Sequence, residues 1–354
     1  MSSPSDYAQR LSRFPSVGLI EAPTPLQPLK RLSSYLGGPN VWIKRDDATH
    51  ISSGGNKLRK LDRVLHTALE QGADCLVSGG VPQSNSQRQV AAAACLLGLE
   101  AHLCVFEGRV IAPSAQYAVS GNIVLNHLFG AHLHSAPWTG DRNGPIKALA
   151  EDLRWQGKTP FVVPYGVSSA MGALSYSSVV AEIAVQSAAL SMKPRALVAA
   201  SGSGGTQAGI TLGVQGCLPD CRAICIDVDA DAARVMRDAA GYASGAAALM
   251  EMTFEPDRLC LEDGFSGGAY GQIDEATIEA MHCAARLEAV VLDPVYTGKA
   301  MAALIALVRQ GRFARGDDVI FIHTGGMPAT FAYSDAVVKS LTRPKFGLAN
   351  EDIS

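Results

Sequence analysis

Hydrophobic and polar positions along this chain follow two periods in alternation. After Lys57, the apolar residues Leu58, Leu61, Val64, Leu65, Ala68 and Leu69 recur at the spacing of an amphipathic helix, and Gly72 ends the pattern. The run "DCLVS" (74–78) then reads as a strand, "GGVPQSNS" as a loop, "RQVAAAACLLGL" as a helix closed at Gly98-Leu99, and "EAHLCVF" as the next strand. A second block of the same kind begins near Pro194: "RALVAA" is a buried strand, "SGSGGT" a turn, "QAGITLGVQGCL" a helix, and "RAICIDVDA" another strand, with "DVIFIH" one more near the end. Strands alternating with helices predict an α/β protein with mostly parallel sheets flanked by helices. The Pro- and Gly-broken stretch around 135–170 suits a crossing between two lobes, the smaller of which contains the helices and strands of 56 to about 110. The Ala-rich patch at 238–250 suits tight helix packing or a surface segment.

Composition narrows the function. The 354 residues are 47% apolar and 18% charged, enough for one large or two moderate domains with sizeable cores. A formal net charge of -3 carries no footprint for nucleic acid or an anionic membrane surface, so the expected partner is a small molecule. No apolar run approaches the roughly 18 residues that span a bilayer, and "MSSPSDYAQRLSRF" has no apolar signal core, so a cytoplasmic protein is expected. The eight cysteines are scattered through apolar runs and read as small core residues in a reducing compartment. "CLPDC" (217–221) lacks a second ligand pair and "HLH" (132–134) reads as strand alternation, so no metal is expected.

Three loops sit where a parallel strand hands over to a helix, the position at which backbone N–H groups face outward and ligands settle. Ser201-Gly202-Ser203-Gly204-Gly205-Thr206 has the glycines and hydroxyls to hold a phosphate. It lacks the Gly-Lys-Ser/Thr ending of a P-loop, and Gln207 replaces the third glycine of a dinucleotide fingerprint, so a monophosphate fits better than a nucleotide; a purely structural turn is the other reading. Ser84, Asn85 and Ser86 open a helix, either as capping groups or as ligands of an amino-acid carboxylate. The third loop, "HTGGMPA", sets Thr324 at a strand end over Gly325 and Gly326. Lys57, in "ISSGGNKLRK", stands at a glycine turn before a helix, where a solvated helix start is the plain reading. A lysine opposite a phosphate turn and a hydroxyl cluster is also the set of groups that pyridoxal phosphate needs, with the lysine as Schiff base to its aldehyde.

These loops resemble the pyridoxal-phosphate family that contains D-cysteine desulfhydrase and 1-aminocyclopropane-1-carboxylate deaminase, of the tryptophan-synthase-β fold type (fold type II). "TPLQPLKRLSSYLGG", "IKRDD", "GGNKLRKL", "QSNSQRQVAA", "GTQAG", "LDPVYTGKAM" and "HTGGMPA" stand in the family's order over most of the chain. The resemblance implies two open, mostly parallel twisted sheets, with a large cofactor-binding domain (1–55 and 165–354) and a small α/β domain (56–164), usually in a homodimer. It implies Lys57 as the Schiff-base lysine, Asn85 as partner of the cofactor's 3'-oxygen, Ser203, Gly204, Gly205 and Thr206 as the phosphate cup, and Thr324 facing the pyridine nitrogen. Ser84 matches a substrate-carboxylate ligand with a possible catalytic role, Tyr270 and Tyr296 match two active-site tyrosines, and Ser86, Tyr165 and Thr297 fall among the substrate-side positions. Two positions depart from the family: Ser86 stands where desulfhydrases usually carry histidine, and Tyr165-Gly166-Val167-Ser168-Ser169 replaces a glycine-glycine-serine-asparagine loop. In the cyclopropane deaminases, glutamate and leucine match Thr297 and Thr324.

The implied reaction is β-elimination from D-cysteine or a close β-substituted amino acid. Lys57 removes the α-proton, a tyrosine assists the leaving group, and pyruvate, ammonia and sulfide are released. L-cysteate sulfo-lyase and cyclopropane deaminase are sibling activities. From other classes, an NAD-type oxidoreductase is suggested only by the α/β pattern, and a pyridoxal-phosphate-binding protein without turnover is permitted by the two departures.

Overall fold

The computed structural model describes residues 4–341. Ten strands form two sheets: β1 (Leu26–Pro28), β2 (Asn40–Lys44), β3 (Cys75–Gly80), β4 (Glu100–Glu107), β5 (His132–Pro137), β6 (Pro160–Val162), β7 (Pro194–Ser201), β8 (Arg222–Asp227), β9 (Cys260–Glu262) and β10 (Asp318–Ile322). Six of them run in the order β1-β2-β10-β7-β8-β9, and four in the order β5-β4-β3-β6. Every pairing is parallel except β1 with β2. The chain is therefore α/β, with two mostly parallel sheets flanked by helices. The strands of the smaller sheet all fall between residues 75 and 162.

Near-continuous apolar runs make the central strands, because a parallel sheet is covered on both faces. All six residues of β3 are buried, and Val319 of β10 pairs with Val41 on one side and Ala196 on the other, all inside the core. The stretch 135–170 holds more than a crossing: the helix Gly144–Trp155 and β6 complete the four-stranded sheet before the chain passes to the helix Ala170–Tyr176.

Helix boundaries follow local chemistry. In the helix Lys57–Glu70, Leu58, Leu61, Leu65 and Ala68 form the buried stripe, while Leu69 falls off it and is 41% exposed. The helix Asn85–Leu97 begins at Ser84, whose hydroxyl accepts from the Gln87 N–H, and stops at Gly98, which takes the left-handed conformation (φ 70°) that glycine tolerates best. The Ala-rich patch lies in the helix Ala232–Leu249, where Ala239, Ala243, Ala246 and Ala247 let it pack closely on the helices Ala170–Tyr176 and Gly205–Cys217. All eight cysteines are free thiols, six of them buried. Among the described residues, no helix is long and apolar enough to cross a membrane.

Candidate active site

The C-terminal ends of the strands in both sheets face one cleft, as expected of open α/β sheets. The cleft, its open mouth included, holds about 630 Å³ not filled by protein atoms. Its walls include Lys57, Ser84, Asn85, Ser86, Tyr165, Ser203, Thr206, Tyr270, Tyr296 and Thr324, so ten residues singled out from the sequence, far apart along the chain, meet here. Gly204 and Gly205 form the turn between Ser203 and Thr206. Gly204 has φ 81°, and a Cβ there would lie 2.9 Å from the Ala239 backbone nitrogen, so only glycine lets the turn seat against the neighbouring helix.

Thr297 departs from expectation. Its hydroxyl donates to Asp293 Oδ1 at 2.7 Å and accepts from the Asp293 N–H at 2.8 Å, and it does not line the cleft. Asp293 also accepts from the N–H groups of Val295, Tyr296 and Thr297, so this buried carboxylate shapes the turn that presents Tyr296. Successive helical residues point about 100° apart, and Thr297, the first residue of its helix, turns inward while Tyr296 faces the cleft.

The Lys57 amine donates to Asn56 Oδ1 at 2.8 Å, and Asn56 Nδ2 donates to Thr206 Oγ1 at 3.0 Å, which ties the lysine to the phosphate turn. Burial lowers Lys57 to about 8; Asp293 pulls it upward and Arg88 downward. A second lysine stands behind it. Lys60 is fully buried, has no carboxylate within ion-pair distance among the described residues, and has the Gly166 carbonyl at 3.4 Å and the Tyr176 ring centroid at 6.0 Å as its partners. Burial and the neighbouring Lys57 push its amine well below the usual lysine range. A Cβ on Gly205 would lie 3.1 Å from Lys60 Nζ, so this amine borders the start of the helix Gly205–Cys217. A buried amine with no paired carboxylate, a glycine turn, the hydroxyls of Ser203 and Thr206, and a helix N-terminus together lack one thing, an anion the size of a phosphate.

Asn85 is oriented by a relay. Arg88 can only donate, and its Nε donates to Asn122 Oδ1 at 2.8 Å. Asn122 Nδ2 therefore donates to Asn85 Oδ1, also at 2.8 Å, and Asn85 presents its Nδ2 donor to the cleft. A phenolic oxygen is a matching acceptor. Ser84 is a helix cap that also lines the cleft, whereas the Ser86 hydroxyl is buried there with no partner. A buried hydroxyl facing a cleft without a partner marks a place for a polar ligand.

On the opposite wall, the hydroxyls of Tyr270 and Tyr296 are 2.5 Å apart and burial raises both well above the ordinary tyrosine range, so the pair stays protonated at neutral pH. Sequence reasoning missed what lies behind them. Arg109, Arg142 and Arg234 converge on one carboxylate, Asp229, which lines the cleft. Arg109 also bonds the Tyr165 hydroxyl and lies 4.2 Å from the Tyr270 ring centroid. No local motif announces this cluster, since Arg109 and Asp229 are 120 positions apart.

Comparison with known proteins agrees with this geometry. Residues 17–325 match the family model described as pyridoxal-phosphate dependent enzyme, and the chain belongs to that family. Among its relatives, the D-cysteine desulfhydrase of Yersinia pestis (strain Pestoides F) is 42% identical over 93% of this chain and 99% of the relative. That of Salmonella choleraesuis (strain SC-B67) is 42% identical over 91% and 97%. A crystal structure of an ACC deaminase homologue superposes with a TM-score of 0.85 at 35% identity, covering 94% of this chain and 98% of the other. Pyridoxal phosphate is thus the cofactor, and the protein is an enzyme.

Proposed function

We propose that this enzyme is a β-elimination lyase that converts D-cysteine, or a close β-substituted amino acid, and one water to pyruvate, ammonia and the β-leaving group, sulfide in the case of cysteine. The observation that carries the reading is the Lys57 amine, lowered to about 8, set in one cleft between an anion-seeking turn and a buried hydroxyl cluster, with a protonated tyrosine pair on the far wall. The relatives named D-cysteine desulfhydrase support the choice of substrate.

In this reading the turn at Ser203–Thr206 and Lys60 would hold the phosphate, Lys57 would hold the aldehyde, Asn85 Nδ2 would donate to the phenolic oxygen, and Thr324 would serve the ring nitrogen. When bound, pyridoxal phosphate supplies the electron sink that makes the Cα–H bond of an attached amino acid acidic. Ser84 and Ser86 bind the substrate carboxylate, orienting the amino acid. The Lys57 amine, when free, accepts the Cα proton; an amine near 8 keeps a usable neutral fraction at physiological pH while remaining a good base. The Tyr270–Tyr296 pair holds a proton at the far wall, where a departing thiolate can receive it.

We also infer a cytoplasmic homodimer, in keeping with eight free thiols and with the exposed apolar side chains Ile111, Val124 and Leu128; sedimentation velocity at micromolar concentration tests the dimer. The activity is tested by measuring pyruvate and ammonia from D- and L-cysteine, cysteate, chloroalanine and aminocyclopropane carboxylate. Pyruvate with sulfide from D-cysteine supports the proposal. Turnover confined to cysteate, or 2-oxobutyrate from the cyclopropane substrate, would replace it with one of the sibling activities.

A further inference from the structure

The two histidines of "HLH" alternate along β5 as expected of a strand, and that alternation sets both on the same face. In the parallel pairing, His132 lies opposite His102 of β4 and His134 opposite Cys104. Glu100, His102 and Cys104 share one face of β4 by the same two-residue period. Three imidazoles and a carboxylate thus gather on one side of the small sheet.

Ligand atoms of Glu100, His102 and His132 all lie within 4.8 Å of one another. His102 Nε2 is 3.0 Å from Glu100 Oε2, and its Nδ1 is 3.1 Å from His134 Nε2. The His102 and His132 rings stack with centroids 4.6 Å apart. Ligand atoms on a tetrahedral Zn²⁺, with bonds of about 2.1 Å, are separated by about 3.4 Å. His102 and Glu100 already stand near that spacing, and His132, which is exposed, closes the remaining gap by side-chain rotation.

We propose that Glu100, His102 and His132 form a binding site for a divalent transition-metal cation of the zinc type, with water completing the coordination. Imidazole and carboxylate donors suit Zn²⁺, Ni²⁺ or Cu²⁺ rather than Mg²⁺ or Ca²⁺. Binding through His102 Nε2 leaves its Nδ1–H to donate to His134 Nε2. This is the outer partner that metal-bound histidines ordinarily have, and it fixes the tautomer. Lys158 holds both Glu100 oxygens, at 2.8 and 2.7 Å, and is the competitor that a bound cation displaces.

The site lies at the N-terminal ends of the strands, away from the cleft. Glu107 lies five residue steps along β4 from His102, roughly 16 Å at strand rise. Its effect is to fasten the edge strand β5 to β4, not to enter the reaction. The test is calorimetric titration of the holoenzyme with ZnCl₂ in a Cys95→Ser background, which removes the exposed thiol. His132→Ala and Glu100→Gln alter exposed side chains and leave the fold intact. One equivalent of Zn²⁺ is expected in the background protein, weakened at least tenfold by either substitution and about tenfold to a hundredfold by His134→Ala. The same equivalent should raise the melting temperature, except in His132→Ala. The proposal is overturned if no bound equivalent is weakened by His132→Ala or Glu100→Gln.

Discussion

Replacing Lys60 with methionine should weaken cofactor binding and stabilise the protein that lacks cofactor, two effects of opposite sign from one side chain. The amine is fully buried, meets a carbonyl only at 3.4 Å, and has Lys57 for its charged neighbour. An unsatisfied buried polar group costs about 1–3 kcal/mol, and more if it stays charged. Methionine fills a similar volume without that penalty, so the apoenzyme should gain on the order of 1–3 kcal/mol in urea unfolding. With the phosphate in place, the same amine makes a charge-assisted hydrogen bond of about 1.5–3 kcal/mol. Its loss corresponds to a rise of about tenfold to 150-fold in the Kd for pyridoxal phosphate. Titration of apoenzyme, followed by the visible absorbance of the bound cofactor, reads the Kd. Pyridoxal, which has no phosphate, should bind the variant as well as it binds the wild type. An unchanged Kd for pyridoxal phosphate, or equal weakening for pyridoxal, would refute the assignment of Lys60 to the phosphate; a less stable apoenzyme would refute the strain argument.

Lys57 gives a pH signature. Its amine is lowered from 10.5 to about 8, so between those values the unfolded chain binds more protons than the folded apoenzyme. The stability difference between wild-type and Lys57→Met apoenzymes should therefore disfavour the wild type most below pH 8 and shrink as pH rises towards 10.5, by at most roughly 3 kcal/mol; a pH-independent difference would contradict the lowered value. Asp229→Asn leaves the part-buried Arg109 and Arg142 without their carboxylate, and should lower stability by about 1.5–3 kcal/mol and raise KM by loosening Tyr165. An unchanged melting temperature would show that the arginines are solvated instead. Ser86→Ala removes a buried hydroxyl that has no partner, so apoenzyme stability should hold or rise while KM increases; an unchanged KM would remove Ser86 from the substrate site.

The sheets and the cofactor end of the cleft were legible in the sequence because their signals are local. Apolar runs of four to eight residues mark β3, β7 and β10, and the groups at each strand end, Ser84-Asn85-Ser86 or Ser203 to Thr206, are contiguous, so one loop carries a whole subsite. Strands β1, β2, β6 and β9 carried no such run; three of these four lie at sheet edges, where neighbours rather than composition define a strand. Thr297 carried no local signal of its own: its substrate-side place came from the resemblance alone, and in the structure one step along the helix from Tyr296 turns its side chain away, where Asp293 holds its hydroxyl.

What the sequence did not disclose is how those groups are aimed. Asn85 looks like a donor to the cofactor only after Arg88 and Asn122 fix which end of its amide faces the cleft, and Asn122 is 37 residues away. Tyr165 and Tyr270 are pinned by Arg109, which answers to Asp229 across 120 positions. The cofactor end is built from backbone turns and neighbouring residues, whereas the substrate wall is built from side chains gathered from distant segments. A cofactor class can therefore be read from a few short motifs, but a substrate depends on the long-range set. The departures at Ser86 and Tyr165 fall in that set: the first leaves a free hydroxyl where a larger ring is usual, and the second takes an arginine as its partner. Together they place a hydrogen-bond donor and a nearby positive charge in the part of the cleft assigned to the substrate. If these residues choose the substrate, exchanging Ser86 for histidine should alter the ratio of rates between D-cysteine and other β-substituted amino acids without changing the cofactor Kd, because the groups assigned to the phosphate and aldehyde lie on other segments and the neighbouring Asn85 is held in place by Asn122.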